Sequence, residues 1–111
     1  MSEWMVVYTE QAEHDLRNIF EYIAFSLLEP EIAKNQLRRI MDAIAKLNEM
    51  PLRYHIYEKE PWHSKGLRVL PIDNYLIFYL PREAKTMVAI IRIMYGGRDI
   101  GEHLRQTEAR I

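Results

Sequence analysis

Arginine and tyrosine recur in the last third of this chain at positions suited to phosphate chemistry. Arg68 lies in the run Gly66-Leu67-Arg68-Val69-Leu70-Pro71, and Arg92 in Ile90-Ile91-Arg92-Ile93-Met94-Tyr95-Gly96-Gly97-Arg98-Asp99, with Tyr95 close behind it. Guanidinium groups hold phosphate oxygens through forked, charge-assisted hydrogen bonds, and a phenol can protonate a departing oxygen. Glu58, His63 and Lys65, in the loop before Gly66, are candidates for a base or helper. Lys65, Arg68, Arg92, Arg98 and Arg105 could form a local basic patch. The chain as a whole is not basic: 15 Lys and Arg stand against 16 Asp and Glu, a formal charge of −1. Binding driven by overall neutralisation of nucleic-acid phosphates is therefore excluded, and either the local patch or a protein partner must carry recognition.

What is missing narrows the chemistry further. With no cysteine, disulfides, thiolate nucleophiles and thiolate metal sites are ruled out. His14 stands between Glu13 and Asp15 with no further ligand at metal-site spacing, so it reads as part of a wet helix face, and neither a metal nor a cofactor is expected. The 111 residues, 49% of them hydrophobic, suit one domain with a modest core. No apolar run is long enough for a membrane span, and no signal-peptide pattern opens the chain, so a cytoplasmic protein is expected.

The elements that must position these residues follow from periodicity. Residues 5–8 are a short run of strand formers, and Thr9 is placed to cap a helix whose first turn holds Glu10. Ala12, Leu16, Ile19, Phe20, Ile23, Ala24 and Leu27 then recur with helical spacing, leaving Glu13, Arg17, Asn18 and Glu21 for the opposite face. Pro30 suits the opening of a second helix with an apolar stripe of Ala33, Leu37, Ile40, Met41, Ile44 and Leu47, and so short a link predicts an antiparallel helical hairpin. Met50-Pro51 ends it. Strands are predicted near 67–70, 75–80 and 86–94, separated by turn-like segments, so they should neighbour one another antiparallel. The polar segment 98–111 reads as a short C-terminal helix or tail.

Strand alternation sorts the candidates by face. It places Ile90, Arg92 and Met94 together and Ile91, Ile93 and Tyr95 opposite, so Arg92 and Tyr95 meet only if the strand ends or bulges near Gly96-Gly97. Arg68 alternates with Leu67 and Val69 and is expected to point away from the helices onto an open sheet face. The plainer expectation for both arginines is a solvated face with cross-strand ion pairs. Tyr75 and Tyr79 read as core. Tyr54, Tyr57 and Trp62 would stack bases only if they lined an exposed groove.

Taken in order, the series "GLR…YLIFY…IIRIMYGGRD", with residues 8–16 upstream, resembles the RelE/ParE superfamily of bacterial toxins over almost the whole chain. The ending at residues 90–99 is similar to the "IIRVLHGARD" of the ParE-like branch. The resemblance implies an α+β fold: an N-terminal strand, an antiparallel helical hairpin, then a three-stranded antiparallel meander, all in one sheet and one domain spanning 1–111. It implies the toxin of a type II toxin–antitoxin pair of the plasmid-stabilisation kind, acting on DNA gyrase and not itself an enzyme, with Arg68, Arg92 and Arg98 as target-binding residues. The alternative is a RelE-like, ribosome-dependent mRNA endonuclease in which Arg68, Arg92 and Tyr95 are catalytic without metal, helped by Glu58, His63 or Lys65. A third reading is a non-toxic, antitoxin-binding scaffold. All three imply a hetero-oligomer with a cognate antitoxin, docked through a helix-in-groove and an added strand. Leu16, Phe20, Ile23, Leu37 and Met41 are the expected contacts on the helical hairpin.

Overall fold

The computed structural model describes residues 3–97 and 99–107. Strand β1 (Met5–Tyr8) leads into helix α1 (Glu10–Glu21). The Thr9 hydroxyl accepts from the Ala12 N–H at 3.2 Å and donates to the Ile90 carbonyl at 2.8 Å. One side chain thus starts the helix and fastens it to a strand 81 residues on. A π-helical turn, Tyr22–Ser26, and a reversal through Leu28 connect to α2 (Pro30–Ala45), which Pro30 opens at a position where its missing N–H costs nothing. The remaining elements are α3 (Trp62–Lys65), β2 (Arg68–Ile72), β3 (Tyr75–Arg82), β4 (Met87–Tyr95) and α4 (Ile100–Thr107).

The four strands form one sheet in the order β1-β4-β3-β2. The meander of β2, β3 and β4 is antiparallel, as the short connections predict. The first strand joins this sheet with the opposite sense to the meander's pairings. It lies parallel to β4, with Met5 opposite Met87 and Tyr8 opposite Ile90, so the sheet is mixed rather than antiparallel throughout. The long return through the helical hairpin makes this possible, because parallel neighbours need a crossover and α1 and α2 supply one.

Both faces of the sheet are covered. Ala12, Leu16, Ile40, Ile44 and Leu47 of the helical hairpin pack on Leu70, Ile77, Tyr79, Val88 and Ile90. On the other face Trp62, Leu67 and Leu104 close over Phe78, Leu80, Ala89 and Ile91. The expected open face is therefore occupied, because α3 brings Trp62 and α4 brings Leu104 onto strands whose side chains are apolar on both sides. Tyr79 faces Ile90 whereas Phe78 faces Arg92, so Ile91 is an extra residue in β4. This bulge resets the alternation: Ile90 and Ile93 both point to the helical hairpin, and Ile91 and Met94 to the opposite face. Among the described residues, no helix is long and apolar enough to cross a membrane.

Candidate functional site: the arginines and the tyrosine at the end of the sheet

Arg92 is not on a solvated surface. It is 6% exposed, and its Nε and Nη2 donate to the two carboxylate oxygens of Asp15 at 2.7 and 3.1 Å. Its Nη1 donates to the His103 carbonyl at 3.0 Å and to the Thr107 hydroxyl at 2.8 Å. Asp15 also accepts from the Ile93 N–H at 2.9 Å. This gives a buried, bidentate ion pair that joins α1, β4 and α4, with no buried side-chain polar atom unpartnered among the described residues. The expectation of an exposed Arg92 is corrected. The bulge at Ile91 and the docking of α4 enclose it, and Asp15 neutralises it.

Arg68 also departs from its expected position. It faces Tyr79 across the β2–β3 ladder, on the helical-hairpin side with Leu70, not on the opposite face. Its Nη1 donates to the carbonyls of Leu52 and Tyr54 at 2.9 and 2.6 Å. Tyr79 reaches the same segment, its hydroxyl donating to the Pro51 carbonyl at 2.6 Å. Burial pushes the Tyr79 phenol up to about 12, so it stays a donor throughout the physiological range. Beyond these anchors, the Tyr57 N–H donates to the Leu67 carbonyl and the Val69 N–H to the His55 carbonyl. The segment 51–57 is thus stitched along the outer side of β2, and Arg68 holds it.

Tyr95 is half exposed, its ring standing edge-on to Tyr75 with centroids 5.8 Å apart. Since Ile93 and Tyr75 face the helical hairpin, Tyr95 lies on that side while Arg92 lies on the other. Gly96-Gly97 does not reunite them. A Cβ at Gly97 would approach the Tyr95 ring to 2.9 Å, so the glycine there is needed for the ring to lie over the backbone. The expected helpers are separate again. Lys65 lies 5.2 Å over the Trp62 ring, and His63 Nδ1 is 3.7 Å from Glu60. Both are carried by α3, which packs through Trp62 on the face away from Arg68. Glu58 is exposed in the preceding loop.

The expected basic patch is dispersed in the same way. Of its members, Lys65, Arg68 and Arg92 are placed as above, Arg105 pairs with Glu102, and Arg98 lies outside the described residues; apart from the patch, Arg39 pairs with Asp73. The Arg39 hydrogen bond holds the Asp73 carboxyl below its usual range, helped by Gln36. Trp62 is buried, Tyr57 stands edge-on to Phe78, and Tyr54 packs at the margin of the core, so no aromatic groove for bases is formed by these three. Two shallow hollows of about 250 Å³ each occur nearby. One is lined by Lys65, Leu80, Pro81 and Arg82, the other by residues that include Thr9, Arg82, Ile91 and Thr107. No cluster of three metal-ligating side chains occurs among the described residues.

Of the residues expected to contact an antitoxin, Leu16 and Ile23 are buried in the core and offer no surface. Phe20 and Leu37 are half buried and Met41 is exposed. Further exposed apolar side chains, Tyr22, Phe25, Leu27, Leu28 and Ile32, gather at the end of the helical hairpin. The residue that sequence reasoning passed over is Asp15. Its spacing, three after Ala12 and four before Ile19, places it inside the apolar stripe, and an acid in that position signals a buried partner.

Among curated protein sequences none matches the chain. Solved structures share the fold. The ParDE toxin–antitoxin system from P. aeruginosa superposes with a TM-score of 0.69 at 20% identity, over 84% of this chain and 96% of that one. The RelBE2 toxin–antitoxin complex from Mycobacterium tuberculosis gives 0.63 at 21% identity, over 84% of this chain and 98% of its own. A free-state mutant of E. coli RelE gives 0.63 at 12% identity, covering 98% of both chains. Similarity at this level speaks for the fold alone. The sequence profile of the family described as "ParE toxin of type II toxin-antitoxin system, parDE" goes further, matching residues 6–100 from β1 through β4 into the start of α4. That match spans most of the chain and every element that builds the sheet, and with it this protein belongs to the ParE toxin family of type II toxin–antitoxin systems.

Proposed function

We propose that this toxin acts by binding a protein target, DNA gyrase, and not by cutting RNA. The observation that carries this reading is the state of the two arginines. Arg92 is committed to Asp15 and to α4, and Arg68 to the carbonyls of Leu52 and Tyr54. Metal-free RNA cleavage needs a base, an acid and cations converging on one phosphate. Here Tyr95 and Arg92 lie on opposite sides of the sheet. Binding and trapping a protein requires no such convergence.

The partner in the resting state is an antitoxin, as in the ParDE and RelBE2 assemblies that share the fold. The outer side of β1 supports an added strand. Met5 and Thr9 spend their N–H groups on Thr86 and Ile90, so alternation turns those of Val6 and Tyr8 to the free edge of the sheet. Met41 and the flank of Leu37 on α2 supply apolar surface for an amphipathic helix.

The test sets two assays side by side. Purified protein is expected to inhibit gyrase supercoiling and to accumulate cleaved DNA, and to leave mRNA on programmed ribosomes uncut. Ribosomal cleavage lost in Tyr95→Phe, with gyrase unaffected, makes the chain a RelE-like nuclease instead. Normal growth of cells producing soluble protein makes it a non-toxic scaffold for its antitoxin.

A further inference from the structure

The end of the helical hairpin carries a cluster of large apolar side chains that the fold does not use. Tyr22, Phe25, Leu27, Leu28 and Ile32 are all more than half exposed, Phe25 at 67% and Leu28 at 79%. They lie within one reversal of the chain. The π-helical turn turns Ile23 and Ala24 inward and leaves Tyr22 and Phe25 outside, and turns of this kind recur at functional sites.

Leu28 is the decisive residue. Its φ of +58° is the left-handed region, where glycine and asparagine are at ease and leucine is strained. Its side chain is the most exposed large apolar group among the described residues. Neither backbone nor packing explains a leucine there.

The charges around the patch identify what covers it. Between residues 21 and 35 stand three carboxylates, Glu21, Glu29 and Glu31, and one cation, Lys34, which is paired with Glu31 at 3.4 Å. An acidic rim repels nucleic acid and anionic lipid, and it repels a second copy of itself across a two-fold axis. A protein surface with an apolar hollow ringed by arginine and lysine is complementary to it. We propose that the tip of the helical hairpin, with Leu28 and Phe25 as anchors and Glu21 and Glu29 as rim, is the surface by which this toxin grips a basic-rimmed protein target. On the reading of the preceding subsection, which this inference rests on, that target is gyrase, and the basic ring is the kind of surface a DNA-handling enzyme presents.

The experiment measures inhibition of gyrase supercoiling and urea unfolding for wild type, Leu28→Asn, Phe25→Ser and Glu29→Lys. Leu28→Asn is expected to raise the inhibitory concentration at least tenfold while holding or increasing the unfolding midpoint, an opposite-sign result that no loss of fold can mimic. Phe25→Ser and Glu29→Lys are each expected to weaken inhibition by about fivefold or more, the latter with a shallower salt dependence. Three inhibitory concentrations equal to wild type, in folded variants, overturn the proposal. Sedimentation showing a wild-type dimer that Leu28→Asn dissociates overturns it too, by making the patch a contact between copies. A wild-type protein inert on gyrase removes the gyrase reading itself, and the partner named here falls with it.

Discussion

Arg92→Ala tests the central claim about the arginines, because an exposed phosphate-binding residue and a buried structural one respond in opposite ways. An exposed arginine removed from a sheet face costs little stability. In this structure the substitution strips Asp15 of both guanidinium contacts, leaving a carboxylate that is 8% exposed with only the Ile93 N–H. It also leaves the His103 carbonyl and the Thr107 hydroxyl without their common donor. Breaking a buried pair from one side costs about 3–5 kcal/mol, a large share of the roughly 5–15 kcal/mol that holds a domain of this size. At about 4 °C per kcal/mol for a chain of this length, Tm falls by roughly 12–20 °C. Urea unfolding of Arg92→Ala, Asp15→Ala and the double variant with alanine at both positions completes a cycle. The double variant is expected to lose about 1–3 kcal/mol less than the sum of the singles, since it leaves no unpaired buried charge. A stability loss below about 1 kcal/mol for Arg92→Ala, or strict additivity, refutes the reasoning and returns Arg92 to the surface.

Other outcomes follow from the remaining contacts. Arg68→Ala is expected to cost about 1–2 kcal/mol and to speed hydrogen exchange at the Tyr57 and Val69 amides, read by NMR, because the segment 51–57 loses its anchor at Leu52 and Tyr54. Tyr79→Phe leaves the Pro51 carbonyl without its donor and should cost about 1–2 kcal/mol in urea unfolding. The Tyr79 phenol has a raised pKa in the folded state. Its contribution is therefore complete below about 10, the unfolded value, and is lost as pH rises from there through about 12. The variant's alkaline unfolding limb should be correspondingly flatter than wild type. Asp73 is the reverse case: its lowered pKa gives stability that is present above the ordinary carboxylate range and disappears as pH falls through the folded value. Asp73→Asn, tolerated at this residue's φ of +54°, should flatten the acid limb in a pH series of thermal melts.

The sequence made the elements legible because each has a strong local signal. The Thr9 cap, Pro30 at the second opening, the strand-forming runs and most of the two apolar stripes match the structure, the exceptions being Leu27 and Met41, which are exposed. Faces were harder to read. Alternation fixes which residues share a side, and it says nothing of which side a helix will cover when both are apolar, so Arg68 lies on the helical-hairpin side and not on the face expected for it. One extra residue at Ile91 then takes Arg92 and Met94 off the face of Ile90, a shift that no count along β4 could reveal, while Arg92 and Tyr95 stay on opposite sides as plain alternation places them. The docking of α4 was equally hidden. Its segment is polar apart from Ile100 and Leu104, and the contact that fixes it is a hydrogen bond from a residue in another element.

The placement of β4 between β1 and β3 has a bearing on how the chain acquires its shape. The first strand of the chain has only one neighbour in the sheet, and that neighbour begins at Met87. The helical hairpin can form early from local contacts, but the surface it rests on and the hydroxyl tie from Thr9 to Ile90 come into being only when the far end of the chain is present. No shorter stretch starting at β1 can finish a sheet, so partial products of synthesis or proteolysis that stop before this strand lack the scaffold on which any toxic surface would be held. The sheet is thereby completed late and as a unit, when β4 takes its place between β1 and the rest of the meander.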